Sequence, residues 1–342
     1  MVDAMGGDHA PVNEVQGAIS ALRRSSNQFE VIFVGREREI RDTLAKHGGE
    51  GLSWSVVDAP EVITMEDSPT AALKQKKNSS LAVGMRLHQE GKADAFVSAG
   101  NTGAVLSASA LILGRLQRVS RPTIGAFFPT TTTPCLLLDA GTNVDCRAQH
   151  LFQFAVMGSI YFKKIMGVEN PTVALLNVGE ERTKGTEVIL EAHRMLSESG
   201  LNFVGNIEGR DILKHKADVV VCDGFVGNIV LKFGESVPEF LKSRLSEVAE
   251  QSLIAKILVG LARGSLKRAL HDMDPNKHGG VPVLGVNGVS IIGHGSSSPR
   301  GIENMIMRAF EVAKMGLNRY IEEALTTASE RAEASTPPMV PA

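Results

Sequence analysis

Two turns of this 342-residue chain carry the same small residues in the same order. "ADAFVSAGNTGAVL" (93–106) and "ADVVVCDGFVGNIVL" (217–231) align without a gap as Ala-Asp, an apolar run, Gly-x-x-Gly and a second apolar run. Glycines let a backbone approach a ligand closely, and a helix that starts there presents free N–H groups and a positive dipole end. The chemistry expected is the holding of an anion, a phosphate or an oxyanion. The first copy offers Ser98, Gly100, Asn101 and Thr102; the second offers Asp223, Gly224, Gly227 and Asn228. The competing reading is a duplicated strand-helix unit kept only for packing.

Other residues suit the same chemistry. "LLNVGEERTKGTE" (175–187) places Glu180, Glu181, Arg182 and Lys184 within one turn. A lysine there can neutralise a phosphate or a developing oxyanion. The alternative is a solvated helix start whose glutamates complement the dipole. Arg210 in "NIEGRD" is a second anion ligand, Asp139 and Asn143 sit in the turn "DAGTN", and "GHGSSS" offers His294 and Ser296 as donors or a proton shuttle. Cys146 is the nucleophile to weigh against these, but no basic partner that would activate it is identifiable. Familiar motifs are missing: no G-x-G-x-x-G after a strand, no Walker loop ("EERTKGT" has Lys before Gly), no H-E-x-x-H and no G-x-S-x-G.

The elements that must position these turns are short apolar runs at 30–35, 53–59, 94–100, 124–129, 135–141, 172–181, 202–209, 218–224 and 290–295. Several are continuously apolar, as strands buried on both faces of a mostly parallel sheet are. Between them lie helix-length segments at about 11–24, 36–47, 69–90, 102–117, 146–166, 183–199, 227–250 and 300–330. The alternation predicts a three-layer α/β/α domain over 1–330, and its polar turns are expected together along the carboxyl edge of the sheet. Residues 331–342 read as a frayed, disordered tail.

One segment, at about 235–275, has no strand pattern and reads as a helical hairpin. Val237, Phe240, Leu241, Leu245 and Val248 form one apolar stripe; "LIAKILVGLA" (253–262), with Leu258 inside it, precedes Arg263, Lys267 and Arg268. It can pack on the body or on a second copy, or touch a membrane surface with its apolar run while the basic residues meet phosphates.

Composition bounds the rest. A hydrophobic fraction of 43%, a charged fraction of 22% and a net charge of −2 describe an ordinary globular chain with no global pull toward nucleic acid. Three cysteines without C-x-x-C spacing argue against a disulfide framework or a structural zinc site. No signal-peptide pattern or membrane-length apolar run occurs, so a reducing cytoplasm is the expected location.

"DAMGGDHAP", "SAGNTGA", "LLLDAGTNVDC", "LLNVGEERTKG", "NIEGRD", "DGFVGNIVLK" and "GVNGVSIIGHGSSS" together resemble the bacterial phosphate acyltransferase family, from Asp3 to about residue 325. One departure is the start. The family carries several apolar residues ahead of the first motif, as a first strand, whereas only Met1 and Val2 precede Asp3 here. The resemblance implies transfer of a long fatty acyl group from acyl carrier protein to inorganic phosphate, giving acyl phosphate for phospholipid synthesis. It implies a fold similar to the phosphotransacetylases and the isocitrate/isopropylmalate dehydrogenases, no metal or organic cofactor, a homodimer, and association with the inner membrane face, where a membrane glycerol-phosphate acyltransferase takes the product. On that view phosphate attacks the thioester directly. Lys184 and Asn228 bind phosphate or oxyanion, and Asp223 or His294 moves protons. Gly100, Asn101, Thr102, Asp139, Asn143, Glu180, Arg210, Gly224, Gly227 and Ser296 line the substrates. Leu258, Arg263, Lys267 and Arg268 meet the carrier protein or the membrane. Two rivals are a phosphotransacetylase-like enzyme for short-chain coenzyme A thioesters, which has no need of an apolar hairpin, and a non-catalytic lipid-binding scaffold, which has no need of convergent polar turns.

Overall fold

Alternate residues of the central strands feed two different cores. Leu137 and Val220 pack into one, while Leu136, Leu138, Val219 and Val221 pack into the other. With both faces covered, these runs have no polar side, which is why they read as continuously apolar. The computed structural model describes residues 1–269 and 279–334.

The strands are β1 (Val2–Asp3), β2 (Val31–Gly35), β3 (Trp54–Asp58), β4 (Phe96–Ser98), β5 (Thr123–Phe128), β6 (Cys135–Leu138), β7 (Thr172–Leu176), β8 (Asn202–Ile207), β9 (Val219–Val221), β10 (Val281–Leu284) and β11 (Ser290–Ile292). They form one sheet in the order β3-β2-β1-β4-β11-β10-β5-β6-β9-β7-β8. The helices are α1 (Val12–Arg24), α2 (Glu37–His47), α3 (Pro69–Gln75), α4 (Ser80–Gln89), α5 (Thr102–Ala108), α6 (Ala148–Met166), α7 (Glu187–Ser197), α8 (Gly224–Glu250), α9 (Leu253–Ala269), α10 (Pro299–Met315) and α11 (Leu317–Ala334). One core gathers α3, α4, α5 and the start of α8 on one face. Two more gather α1, α2 and α10, and α6, α7 and α11, on the other. The arrangement is three-layered, as expected, and the sheet is mixed and mostly parallel.

The direction of the sheet corrects one expectation. The block β3-β2-β1-β4-β11 is parallel throughout, and so is β6-β9-β7-β8. Between them the pairings β11–β10, β10–β5 and β5–β6 are antiparallel. Three reversals turn one block against the other, so the polar turns do not share a single carboxyl edge. Strand β10 escaped the sequence reading because it is short and holds Pro282, a poor ladder residue.

Helix boundaries also shifted. The segment at 69–90 divides into α3 and α4, and 300–330 divides at Gly316, whose φ of +62° caps α10. The last helix reaches Ala334, four residues into the expected tail, and 335–342 lie outside the described residues. The hairpin begins earlier than its apolar stripe suggests. Helix α8 starts at the second glycine turn and runs 27 residues, through Pro238. Only Gly224 and Gly227 of it are buried, so beyond its first turns it projects from the body with α9 against it. Residues 270–278, which include the end of the expected hairpin, lie outside the described residues, as do the side chains of Arg263, Lys267 and Arg268.

Candidate active site

Both glycine turns are built by the rules that end strands and start helices, but they are not copies. In the first, Gly100 precedes the helix and Asn101 caps α5, its Oδ1 accepting from Ala104 N–H at 3.1 Å. In the second, the cap is Asp223, accepting from Val226 N–H at 2.8 Å, and Gly224 already lies in the first turn of α8. The aligned residues therefore start their helices two positions apart. The carboxamide Nδ2 of Asn101 is occupied as well, donating to the carbonyls of Thr64, Met65 and Asp67.

Packing accounts for the glycines of the second turn. A Cβ on Gly227 would stand 1.8 Å from the carbonyl oxygen of Asp139, and one on Gly224 would stand 2.7 Å from the backbone nitrogen of Asn143. Helix α8 thus begins in contact with the loop after β6. Asp139, fully buried, staples that loop: its carboxylate accepts from the N–H groups of Gly141, Thr142 and Asn143 and from Asn143 Nδ2. Burial pushes its carboxyl above the usual range, and these bonds oppose the rise. Asn143 also donates to Pro122 O, and its own carbonyl accepts from Gly224 N–H at 2.7 Å. Asp139 and Asn143 therefore hold the loop in place, and Gly141 presents it to α8 beside Asn228.

A groove of about 610 Å³ straddles the antiparallel middle of the sheet. From the first block it takes Gly100, Thr102, His294 and Ser296; from the second it takes Ala140, Gly141 and Asn228. The two turns that a common edge could not unite are united by this cleft. Its apolar wall includes Ile124, Phe127, Leu231, Met65 and Met305. Asn228 is exposed there, and among the described residues its carboxamide has no hydrogen-bond partner. His294 Nδ1 lies 2.8 Å from Ser296 Oγ and accepts from Ser296 N–H at 3.3 Å. A backbone N–H donating to Nδ1 leaves the ring proton of the neutral imidazole on Nε2.

Of the expected residues, Asn101, Asp139, Asn143, Asp223, Gly224 and Gly227 build the surrounding turns without lining the groove, and three more fall elsewhere. Lys184 is exposed in the loop after β7 and does not line the groove. Glu180 pairs with Lys216 at 2.7 Å, and Arg210 pairs with Glu208 at 2.9 Å. The groove also takes charged residues that the sequence reading does not single out, Asp8 and Lys232 among them. Asp8 lies just after the Gly6-Gly7 pair, and Lys232 stands one helical turn beyond Asn228, paired with Glu235 at 2.8 Å. The i,i+4 spacing from Asn228 to Lys232 was the available signal. Burial raises the Cys146 thiol to about 12, with the Asp139 and Asp223 charges adding to it, so no thiolate nucleophile forms there. Among the described residues no cluster of His, Cys, Asp or Glu could hold a metal ion.

The sequence profile of the fatty acid synthesis protein family matches residues 1–319. A phosphate acyltransferase of Chlorobaculum parvum is 46% identical over 335 residues, covering 95% of this chain and 98% of that protein. A phosphate acyltransferase of Heliobacterium modesticaldum is 47% identical over 325 residues, covering 95% of each. Among solved structures, a phosphotransacetylase from Streptococcus pyogenes superposes with a TM-score of 0.59 at 18% identity, over 97% of this chain and 94% of that one. A branched-chain phosphotransacylase from Enterococcus faecalis gives 0.57 at 14% identity, over 91% and 98%. The structural likeness fixes the fold alone; the sequence match, spanning nearly the whole chain, places this protein in the fatty acid synthesis protein family, among relatives that are phosphate acyltransferases.

Proposed function

We propose that this protein is an acyltransferase that moves a long-chain fatty acyl group from acyl carrier protein to inorganic phosphate, making acyl phosphate for phospholipid synthesis. The observation that carries the reading is the mixed lining of the groove. One part is polar, with Thr102, Asn228, His294 and Ser296, and the rest is apolar, with Phe127, Leu231 and Met305. An acyl phosphate has the same two halves.

In the proposed reaction a phosphate oxygen attacks the thioester carbonyl, the tetrahedral intermediate collapses, and the C–S bond breaks to release the carrier thiol. Thr102, His294 and Ser296 hold phosphate, and the free carboxamide of Asn228 donates to the oxyanion. Fixing two reactants and supplying preorganised donors lowers the barrier without a covalent intermediate. We read the fold as that of the isocitrate/isopropylmalate dehydrogenases.

The same proposal gives the α8–α9 hairpin its work. Phe233, Phe240, Leu253, Ile254, Leu258 and Leu261 are each more than half exposed. Apolar surface on this scale marks a contact site. A second copy covering α8, with the apolar end of the hairpin at the inner membrane surface, accounts for it, and a membrane glycerol-phosphate acyltransferase would then receive the product there. No described helix is long and apolar enough to cross a membrane. The deciding assay incubates the protein with palmitoyl-acyl carrier protein and phosphate and measures acyl phosphate and free carrier. Palmitoyl-coenzyme A and acetyl-coenzyme A run in parallel; preference for the latter would replace this reading with a short-chain phosphotransacetylase.

A further inference from the structure

Glu14 of α1 is 1% exposed, and among the described residues its Oε2 has no hydrogen-bond partner. Its Oε1 fills the space where a side chain on residue 7 would begin, since a Cβ built on Gly7 would lie 2.3 Å away. The turn it braces carries Asp8, which lines the groove and whose N–H donates to Gly295 O at 2.9 Å. One buried carboxyl thus supports, from below, a turn that is tied directly to the His294–Ser296 rim.

The charged groups facing Glu14 are Asp3 from β1 and Asp8 from the turn. On the adjoining loop after β11 the titratable group is His294, exposed to solvent. Helix α10 packs on α1, and the Arg24–Glu303 ion pair joins them at the far end of α1. Glu14 therefore sits among negative charges, beside the part of the groove assigned to a phosphate anion.

We propose that Glu14 is a positioning residue for acyl transfer, its neutral carboxyl holding the Gly6–Asp8 turn at the rim that receives phosphate. The inference rests on the acyl-transfer reading above. Deprotonation puts a charge where no water reaches it, next to Asp3 and Asp8, so the turn opens or the incoming phosphate is repelled. Burial, with the Asp3 charge adding to it, raises the carboxyl to about 7. The neutral form holds below that pH and is lost above it.

The test compares wild type with Glu14→Gln and with Glu14→Leu, neither of which has a proton to lose. For each, kcat/KM for phosphate is measured from about pH 6 to pH 9 with palmitoyl-acyl carrier protein. Ionisation of phosphate itself cancels in the ratio of wild type to variant. That ratio is expected to fall by roughly tenfold or more as pH rises from about 7 to about 9. At pH 6, where wild type keeps the carboxyl packed against Gly7 and Glu14→Leu does not, the Leu variant should show a raised KM for phosphate with kcat little changed. Either variant suffices if the other fails to fold. A ratio flat across the range, from an active wild type, overturns the role of Glu14 and leaves the activity standing. Wild type that makes no acyl phosphate at any pH overturns the activity and this role with it.

Discussion

Replacing Gly227 by alanine should damage stability and activity together. The added Cβ would lie 1.8 Å from Asp139 O, 2.9 Å from Asp139 C and 3.1 Å from Cys222 Sγ. An unstrained carbon-oxygen contact is about 3.3 Å, so the start of α8 must retreat by roughly 1.5 Å. The retreat strains the Gly224 N–H to Asn143 O bond, now 2.7 Å, which joins α8 to the loop that Asp139 staples. Overpacking of this kind costs about 1–3 kcal/mol, and an unsatisfied buried backbone group about 1–3 more. A net loss of about 3 kcal/mol is expected. Over 342 residues the unfolding entropy is on the order of 0.7 kcal/mol/K, which turns that loss into a fall in Tm of roughly 4 °C. Asn228 follows Gly227 directly, so its carboxamide moves with the helix; a displacement near 1 Å should reduce acyl phosphate formation about 100-fold. Thermal unfolding followed by circular dichroism, with turnover on palmitoyl-acyl carrier protein, reads both effects. A contrast is Gly260 of α9, where a Cβ would meet nothing within 4 Å and alanine should stabilise the helix slightly. If Gly227→Ala melts within 1 °C of wild type and keeps its activity, the close approach of α8 to the loop is not what positions Asn228.

Asn228→Ala should lower kcat by about 100-fold with little change in KM for phosphate, as loss of one oxyanion donor does; equal loss in both would move it to ground-state binding. Lys184→Ala should keep turnover within about threefold, because Lys184 stands outside the groove; a loss of 100-fold would bring that loop back into the mechanism. Cys146→Ser should remain active, and recovery of an acyl group on Cys146 after reaction with donor alone would refute direct attack. Glu14, neutral in the fold up to about 7 against an ordinary value of 4.5, should make the protein less stable as pH rises between those values, by about 3 kcal/mol in all. Urea unfolding of Glu14→Gln should lack that decline, and parallel pH profiles for the two proteins would contradict the burial argument. Leu258→Asp should reduce sedimentation with anionic lipid vesicles, and unchanged binding would move lipid contact away from the 60% exposed Leu258.

Much of the architecture was legible because burial on both faces leaves a plain record: "CLLLD" and "DVVVC" cannot be half-exposed strands. Strand β10 left no such record. Its residues pair on one side each, Val281 and Pro282 with β11, Val283 and Leu284 with β5, so a proline is tolerated and the apolar run stays short. The site was half legible. Glycine turns with Asn, Asp or His beside them marked the rims of the groove, but type and spacing do not reveal whether a side chain is already engaged. Asn101 and Asp223 are strong helix caps, and that local bond decides their orientation. Asp139 reads as a ligand and turns inward to four donors of its own loop. Lys184 follows a strand like the others, yet β7 lies two places from β6 in the sheet, too far along for its loop to line the groove. Strand order, unlike strand identity, is set by contacts distant in sequence.

The four residues of β10 also form the seam between the two halves of the sheet. No residue of the strand is in register with both neighbours, so the ladder passes from one half to the other at the single step between Pro282 and Val283. Pro282 brings no N–H to that seam. Pairing at the seam is sparse, two residues of β10 on each side, and the groove lies directly across it. Asn228 and His294 therefore face one groove from opposite sides of the seam.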